Sequence, residues 1–357
     1  MSMLHIRRPS NKDTLQGVAF VVIFAAVVVG FFIYVSRAAT VATSFFEAET
    51  ATRTGPVTEI SDSTASAGKA IKFGPADNGG TATPPPSIPG NWKAIFADEF
   101  NGTQLDSSKW QLCNPSFTGQ GGYAPNTCKT TFNDEQELFR TTYTNNPNVQ
   151  VKDGTLRLIA TKEGNQIYSG MISTGPDRFG YNPPNYQKFN YTYGYFEARA
   201  RFPRGQGFWP SFWMLPDQSN VAPDYNCKIY PRACDGWPTS GEYDLVEVLG
   251  GSTNQIHMTE HDQNTGGVGD GVTVTGTDAA DGMHTYGIDW EPGYIKWYLD
   301  GQLRKTYTNG VGIKNYPFYI IANFSVGGGG SWGGAWNGGT PFPSTYEIDY
   351  MRVYKSQ

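Results

Sequence analysis

The chain has 357 residues, including 43 Gly and 23 Pro; aromatic residues make up 14% and charged residues only 17%. Its formal net charge of −5, with 27 Lys and Arg spread along the chain, excludes the basic surface that nucleic acid requires. The Gly, Pro and aromatic content also excludes coiled coils and helical repeats, because these residues break helices and suit strands and turns. Composition therefore predicts a β-rich protein with no nucleic-acid partner.

The first predicted element is an apolar helix over Val18–Val35. Its uncharged run reaches ~27 Å, enough to cross the hydrocarbon core of a membrane. Arg7, Arg8 and Lys12 precede it, which predicts a cytoplasmic N-terminus and an extracytoplasmic remainder. The run is longer than the ~7 to 15 apolar residues of a signal peptide. We therefore expect residues 1–40 to form an uncleaved signal anchor, with cleavage and secretion as the alternative.

All four cysteines follow this segment, which agrees with an oxidising compartment outside the cytoplasm. Two disulfides closing short loops are the natural pairing, Cys113 with Cys128 and Cys227 with Cys234, although four cysteines allow three connectivities. A metal site is the alternative, but no Cys-x-x-Cys or nearby Cys–His spacing supports it.

Two short segments come next along the chain. Residues 41–75 contain two or three predicted short strands, and around Glu47-Ala48-Glu49 they resemble the opening of a β-sandwich carbohydrate-binding module. They cover only a small part of such a module, so we expect a β-rich stalk. Residues 76–90 contain Gly79-Gly80 and Pro84-Pro85-Pro86, which is typical of a semi-rigid linker.

Residues 91–357 form the largest predicted domain, and they repeatedly alternate apolar and polar side chains. Tyr195–Phe202 and Tyr346–Tyr354 show the two-residue period of half-buried strands. Asp300-Gly301 lies between two such runs and predicts a hairpin turn. The fold class is therefore predicted to be all-β, a large sandwich of two antiparallel sheets.

A cluster of three carboxylates distinguishes the strand within Gly241–Gly250. Glu242 and Asp244 share one face of a regular strand, whereas Glu247 points to the other face. A bulge at Leu245-Val246 absorbs one residue and returns Glu247 to the shared face. The sequence therefore predicts a bulged strand with all three acids on one side.

That bulged strand allows a specific chemistry. The terminal Cα atoms of the cluster are ~13 Å apart, and side chains that lean inward leave ~5 Å between the outer carboxyl groups, as in retaining glycoside hydrolysis. One carboxylate attacks the anomeric carbon and the other protonates the leaving oxygen. Asp244 orients the nucleophile, and crowded negative charge raises the pKa of the acid. A solvated strand edge or a calcium site is the alternative.

A series of motifs runs along residues 91–357 in a characteristic order, and it resembles glycoside hydrolase family 16, in the branch with the bulged motif that includes endo-β-1,3-glucanases (laminarinases). The resemblance implies a concanavalin-like β-jelly-roll, here preceded by a transmembrane helix, and a catalytic mechanism that needs no cofactor. The motifs are Phe96–Gly102, Val151–Leu156, Tyr193–Arg199, Gly207–Pro216, Gly241–Glu247 and Ile348–Tyr354.

The resemblance also implies roles for individual residues. Glu242 corresponds to the nucleophile, Asp244 to the assisting acid and Glu247 to the general acid/base. The substrate-binding residues implied by the family are Asn133, Trp209, Trp213 and His261. Core packing is the alternative for the two tryptophans. A structural role is the alternative for His261, and capping of a turn is the alternative for Asn133.

Three further tryptophans, Trp237, Trp332 and Trp336, lie among Gly, Pro and Ser, which indicates rings that project from loops into a cleft. Family members often hold a structural calcium at the positions of Glu99, in the opening strand, and Asp349, in the closing strand. Two acids with backbone carbonyls suit a hard cation, so we predict a structural calcium there, with ordinary surface acids as the alternative.

The predicted function is hydrolysis of internal β-1,3-glucan linkages with retention of configuration. We expect the enzyme to be a monomer that is attached to the membrane through its N-terminal helix. Another family activity is the first alternative: mixed-linkage glucanase, agarase, carrageenase or transglycosylase. Non-catalytic glycan binding is the second, and the presence of all three acids argues against it.

Overall fold

The computed structural model describes residues 57–61, 69–73, 83–113, 126–129, 132–175, 188–217, 230–265 and 268–357. The predicted membrane helix Val18–Val35 lies outside these ranges, as does Cys227. No helix within them has the length and apolar character needed to cross a membrane. The membrane anchor therefore stays a prediction.

The N-terminal described strands form a small antiparallel pair. Strand β1 (Val57–Ser61) pairs with β2 (Lys69–Phe73), and Glu59 lies opposite Ile71. Both strands fall within residues 41–75, for which short strands are predicted.

The strand with the three acids is near the middle of a seven-stranded sheet, in which every described pairing is antiparallel. From one edge to the other its strands are β15 (Asp270–Thr275), β14 (Gln255–His261), β13 (Glu242–Val248), β12 (Phe208–Pro216), β19 (Phe318–Val326), β10 (Met171–Ser173) and β4 (Gln111–Leu112).

The second sheet has eleven strands. β6 (Glu137–Arg140) and β9 (Gln166–Ser169) pair in parallel, a local departure from the predicted antiparallel pattern. The main order is β18 (Gln302–Tyr307), β17 (Tyr294–Leu299), β16 (His284–Glu291), β11 (Gly194–Arg201), β20 (Ser344–Ser356), β8 (Thr155–Glu163), β9 (Gln166–Ser169), β6 (Glu137–Arg140) and β5 (Thr127–Cys128), while β3 (Trp92–Asp98) pairs with β20 and β7 (Val149–Lys152) with β8.

One apolar core contains side chains from both sheets, so the sheets pack face to face as the predicted sandwich. Phe212 and Val246 enter it from the seven-stranded sheet, and Ile288 and Trp297 enter it from the other. The hairpin at Asp300-Gly301 is also confirmed. Both turn residues have positive φ, 51° and 70°, as the tight turn between β17 and β18 requires.

A disulfide between Cys113 and Cys128 confirms the first predicted pairing. Cys113 directly follows β4 of the seven-stranded sheet and Cys128 ends β5 of the eleven-stranded sheet, so the bond links the two sheets. Cys234, at the end of a short 3-10 helix (Pro231–Cys234), is also disulfide-bonded.

The C-terminal part of the predicted linker packs on the outer face of the eleven-stranded sheet. The Ser87 amide donates to Glu197 Oε2 at 2.9 Å, and the Ser87 hydroxyl is 3.0 Å from the Tyr195 hydroxyl. Ile88 is buried against Tyr195 and Tyr354. Glu197 is therefore fully buried, although the two-residue period of this strand places it on the half-exposed side.

Candidate active site

The bulge predicted in β13 is present. Across from β14, Asp244 faces Thr259 and Glu247 faces His257, so the three residue steps of β13 match only two steps of β14. On the other side, Asp244 faces Trp213 and Val246 faces Phe212, which identifies Leu245 as the extra residue. Its apolar side chain is fully buried in the core, which favours the irregular backbone at this position.

The bulge brings the three acids to one face of the sheet. Because side chains alternate along a strand, residues opposite each other in the ladder share a face. Glu242, Asp244 and Glu247 lie opposite His261, Thr259 and His257. These three partners are two residues apart along β14, so they share one face. The backbone carbonyl of Asp244 also accepts a 2.9 Å hydrogen bond from the Trp297 indole of the opposite sheet, which fixes the centre of the cluster against the core.

His261 joins the cluster from β14. Its Nε2 is 3.0 Å from Asp244 Oδ2 and 3.9 Å from Glu242 Oε1. One nitrogen or oxygen atom from each of these three side chains lies within 4.8 Å of the other two. The structure thus places His261, predicted to lie in the cleft, directly beside the proposed nucleophile.

The electrostatics of the acids follow from their crowding. Burial raises the pKa of Glu242 well above its usual range, and the neighbouring Asp244 raises it further, while His261 and a hydrogen bond from Trp237 act in the opposite direction. Burial and the charge of Glu260 raise the pKa of Asp244 well above its usual range.

The surroundings of Glu247 favour its protonated form at neutral pH. Burial and Asp244 raise the pKa of Glu247 to about 8, although His261 and a hydrogen bond from Trp209 lower it in part. The Trp209 Nε1 donates to Glu247 Oε1 at 2.9 Å. A carboxylic acid that keeps its proton at neutral pH is suited to protonate a leaving group.

Two exposed tryptophans flank the acids. Trp237 is 54% exposed and its ring lies 6.0 Å from the His261 ring. Trp332 is 48% exposed and makes an edge-to-face contact with Trp209 at 5.5 Å. Exposed indole faces beside a polar cluster are suited to stack on sugar rings. The structure places both rings close to side chains of the acid cluster, and a role in binding sugar stays a prediction.

The sheet face beside the acids is polar. Trp213 Nε1 donates to Asn323 Oδ1 at 2.8 Å, and Asn323 Nδ2 donates to Ser325 Oγ at 2.8 Å. In the ladder between β12 and β19, Ser325 lies opposite Trp209 and Asn323 lies opposite Ser211. Trp213 therefore combines partial packing against a second apolar cluster, which includes Tyr319 and Ile321, with a polar contact to Asn323.

Two predicted substrate-binding residues are not brought to the acids by their described contacts. Trp336 packs edge-to-face against Phe342 at 6.1 Å, with the Lys162 ammonium 4.7 Å from its ring centroid. Asn133 is exposed, and its amide groups donate to Glu135. Glu135 bridges to Gly327 just beyond β19, so Asn133 lies near the end of β19.

The predicted calcium ligands are partners of arginines. Both carboxylate oxygens of Glu99 accept hydrogen bonds from Arg352 at 2.7 Å. Asp349 Oδ2 accepts one from Arg199 at 2.9 Å. Guanidinium groups thus bind three of the four carboxylate oxygens, and a calcium ion would have to compete with these charged hydrogen bonds. The calcium site stays a prediction.

Sequence reasoning missed His257 as a cleft residue. It lies opposite Glu247, and its ring is 4.7 Å from the ring of Trp332. Burial lowers the pKa of His257, which favours the neutral imidazole. The two-residue spacing of His257, Thr259 and His261 was the available signal, because it places all three on one face of a strand.

The chain matches the family model described as glycosyl hydrolases family 16 over residues 135–352. It is 33% identical to a glucan endo-1,3-beta-glucosidase A1 of Niallia circulans, over 78% of this chain and 40% of that protein. It is 31% identical to a glucan endo-1,3-beta-glucosidase of Cryptopygus antarcticus, over 74% of this chain and 93% of that protein.

Solved structures agree with these relatives. The catalytic domain of an endo-1,3-beta-glucanase (laminarinase) from Thermotoga petrophila superposes with a TM-score of 0.56 at 28% identity, over 75% of this chain and 99% of that one. A non-specific endo-beta-1,3(4)-glucanase of the same family superposes with a TM-score of 0.58 at 28% identity, over 77% of this chain and 95% of that one.

Proposed function

Because the chain belongs to glycosyl hydrolases family 16, we propose that it hydrolyses internal linkages of β-1,3-glucan with retention of configuration at the anomeric carbon. The observation that carries the proposal is the bulge at Leu245, which places Glu242, Asp244 and Glu247 on one face of β13. Without the bulge, the outer two acids would lie on opposite faces of the sheet and could not act on one glycosidic bond.

In the first step Glu242 attacks the anomeric carbon while Glu247 gives its proton to the leaving oxygen. The pKa of Glu247, about 8, keeps that proton available at neutral pH. Burial and Asp244 raise the pKa of Glu242, and the contacts that act in the opposite direction, toward the ionised nucleophile, are His261 and the Trp237 hydrogen bond. In the second step Glu247, now ionised, takes a proton from water, which attacks the glycosyl-enzyme and releases Glu242.

Asp244 lies between Glu242 and Glu247 in β13 and has a separate role. Its carboxyl group is 98% buried and lies 3.0 Å from His261 Nε2. A buried acid beside the nucleophile shares a proton with it as charge develops, and Asp244 also raises the pKa values of both other acids. We therefore propose that Asp244 controls the protonation of Glu242 and Glu247.

The choice of β-1,3-glucan is supported by the relatives, which are named for endo-1,3-β-glucanase activity. The open aromatic rings of Trp237 and Trp332 suit the faces of neutral sugars. The mild net charge of −5 is compatible with an uncharged polymer, which needs no strong field to steer it to the site. With the predicted signal anchor, the enzyme would act outside the cytoplasm, held at the membrane or secreted after cleavage.

A mixed-linkage β-1,3(4)-glucan is the second candidate substrate, since one superposing structure is that of a non-specific endo-β-1,3(4)-glucanase. Release of reducing ends from laminarin, lichenan, agarose and carrageenan, followed by sizing of the products, separates these substrates. We expect laminarin to be cleaved fastest and to give oligosaccharides of several lengths, as an endo-acting enzyme produces.

The catalytic assignment is tested by Glu242→Gln and Glu247→Gln, which keep the shape of each side chain. We expect each to lower the rate of reducing-sugar release from laminarin by at least ~10³-fold. Asp270→Asn is the matched control, because Asp270 is an exposed acid of β15 in the same sheet. Wild-type activity in either glutamine variant would disprove the assignment.

A further inference from the structure

The loop between β18 and β19 holds the backbone that enters the catalytic strand. Lys314 Nζ donates to the Thr239 carbonyl at 3.0 Å and to the Val311 carbonyl of its own loop at 2.9 Å. The Tyr316 hydroxyl donates to the Ser240 carbonyl at 2.8 Å. Two consecutive carbonyls just before Gly241 are therefore held from the same loop.

The side chain of Lys314 also fills the space below Gly241. A Cβ atom at Gly241 would lie 2.6 Å from Lys314 Cε, and the φ of Gly241 is +85°. Glycine is thus required by both the conformation and the close approach. Because Glu242 is the next residue, any movement of Lys314 is transmitted to the start of β13.

Lys314 is 7% exposed, and its surroundings are charged. Burial lowers the pKa of Lys314, whereas Glu260, Asp262 and Asp235 favour its ammonium form and Arg232 opposes it. A buried ammonium is costly unless hydrogen bonds and opposite charges compensate it. Here its hydrogen bonds go to backbone carbonyls, one of them in the turn that carries Trp237.

We propose that Lys314, assisted by Tyr316, is a positioning residue that holds the Trp237–Gly241 turn and thereby sets the placement of Trp237 against Glu242. The turn is short and internally bonded, since the Gly241 amide donates to the Pro238 carbonyl at 2.9 Å and the Ser240 amide to the Gly236 carbonyl at 2.9 Å. It therefore moves as a unit when Thr239 is released. The inference rests on the proposed function, in which Glu242 is the nucleophile.

The effect has a specific signature. The Trp237 hydrogen bond lowers the pKa of Glu242, which also faces Asp244, Glu247 and His261. If the turn shifts, that bond is lost and the pKa of Glu242 rises, so the acidic limb of the pH–rate profile moves to higher pH. A loss of stability alone would leave this limb in place.

The test uses the full chain with Lys314→Met, which keeps the stem beside Gly241 and removes the ammonium. We expect kcat on laminarin to fall by at least ~10-fold, as small misplacements of reacting groups do, and the acidic limb to move upward. Tyr316→Phe is the milder second variant, which removes only the hydroxyl bond to Ser240, and we expect a smaller change in the same direction.

Tyr307→Phe is the control. The Tyr307 hydroxyl donates to Asp262 Oδ2 at 3.2 Å in the same buried network but makes no described bond to the turn. We expect it to lower thermal stability while keeping the wild-type pH profile. The inference is wrong if wild type cleaves laminarin and Lys314→Met and Tyr316→Phe both keep its acidic limb. An inactive wild type would disprove the proposed function, and this inference with it.

Discussion

The indole nitrogen of Trp209 lies 2.9 Å from Oε1 of Glu247. A donated N–H favours the ionised form of a carboxyl group, yet burial and Asp244 still raise the pKa of Glu247 to about 8. Trp209 also contacts Trp332, an exposed ring of the cleft. The same indole therefore connects the surface expected to bind sugar with the acid expected to protonate the leaving group.

Trp209→Phe tests this connection. Loss of the N–H should raise the pKa of Glu247 further, so the basic limb of the pH–rate profile, expected near pH 8 in wild type, should move up by about one unit. Trp213→Phe is the comparison, because the Trp213 indole donates to Asn323 instead of an acid. A basic limb that stays in place or moves down in Trp209→Phe would contradict this electrostatic role.

Glu137 is expected to make stability depend on pH. It is fully buried, and burial raises its pKa to about 8 from an ordinary value of 4.5. Between these values the folded state keeps a proton that the unfolded state loses, so stability falls as pH rises, by ~1.4 kcal/mol per pH unit from this group. Below pH ~4.5 both states are protonated and the contribution is constant.

Glu137→Gln removes this contribution and keeps a side-chain oxygen for the Val326 amide, which donates to Glu137 Oε2 at 2.9 Å. The free energy of unfolding in urea should be measured at pH 5, 6.5 and 8. We expect the value for the variant to increase relative to that of wild type as pH rises. Glu163→Gln, at an exposed acid paired with Arg140, should run parallel to wild type. Parallel curves for Glu137→Gln would show that Glu137 does not titrate in this range.

The disulfide that links the sheets should contribute measurably to stability. Cys113 and Cys128 are separated by 15 residues, and closing a loop of that size stabilises a protein by ~3 kcal/mol. The double variant Cys113→Ser/Cys128→Ser should therefore unfold at a lower urea concentration than wild type. An unchanged midpoint would mean that the loop is already ordered without the bond.

The contact between Ser87 and Glu197 predicts where the catalytic domain begins. A chain starting at Asn91 loses the Ser87 amide bond to the buried Glu197 carboxylate and the burial of Ile88. Each loss is expected to cost ~1.5 to 3 kcal/mol. Its melting temperature should be lower than that of a chain starting at Thr83, and equal melting temperatures would contradict this boundary.

The regular parts of the molecule were predictable because they obey a short sequence period. The alternation over Tyr195–Phe202 and the Asp300-Gly301 turn correspond to β11 and to the β17–β18 hairpin. The bulge at Leu245 was predictable for the same reason, because three acids that belong on one face break the period by one residue.

Contacts between distant residues were not predictable in this way. The bond from Lys314 to Thr239 joins residues 75 apart, and that from Ser87 to Glu197 joins residues 110 apart. Lys314 and Ser87 do not belong to a periodic segment, so no sequence period indicates their partners. Trp336 shows the same limit: its glycine-rich neighbours indicate a loop, but only the fold decides that its ring packs against Phe342.

The central claim is retaining hydrolysis of β-1,3-glucan by Glu242 and Glu247. Proton NMR of laminarin hydrolysis, recorded before the sugar anomers equilibrate, measures the configuration of the first product directly. A glycosyl-enzyme formed on Glu242 and opened by water requires two inversions, so the account predicts the β-anomer. Initial release of the α-anomer would contradict it.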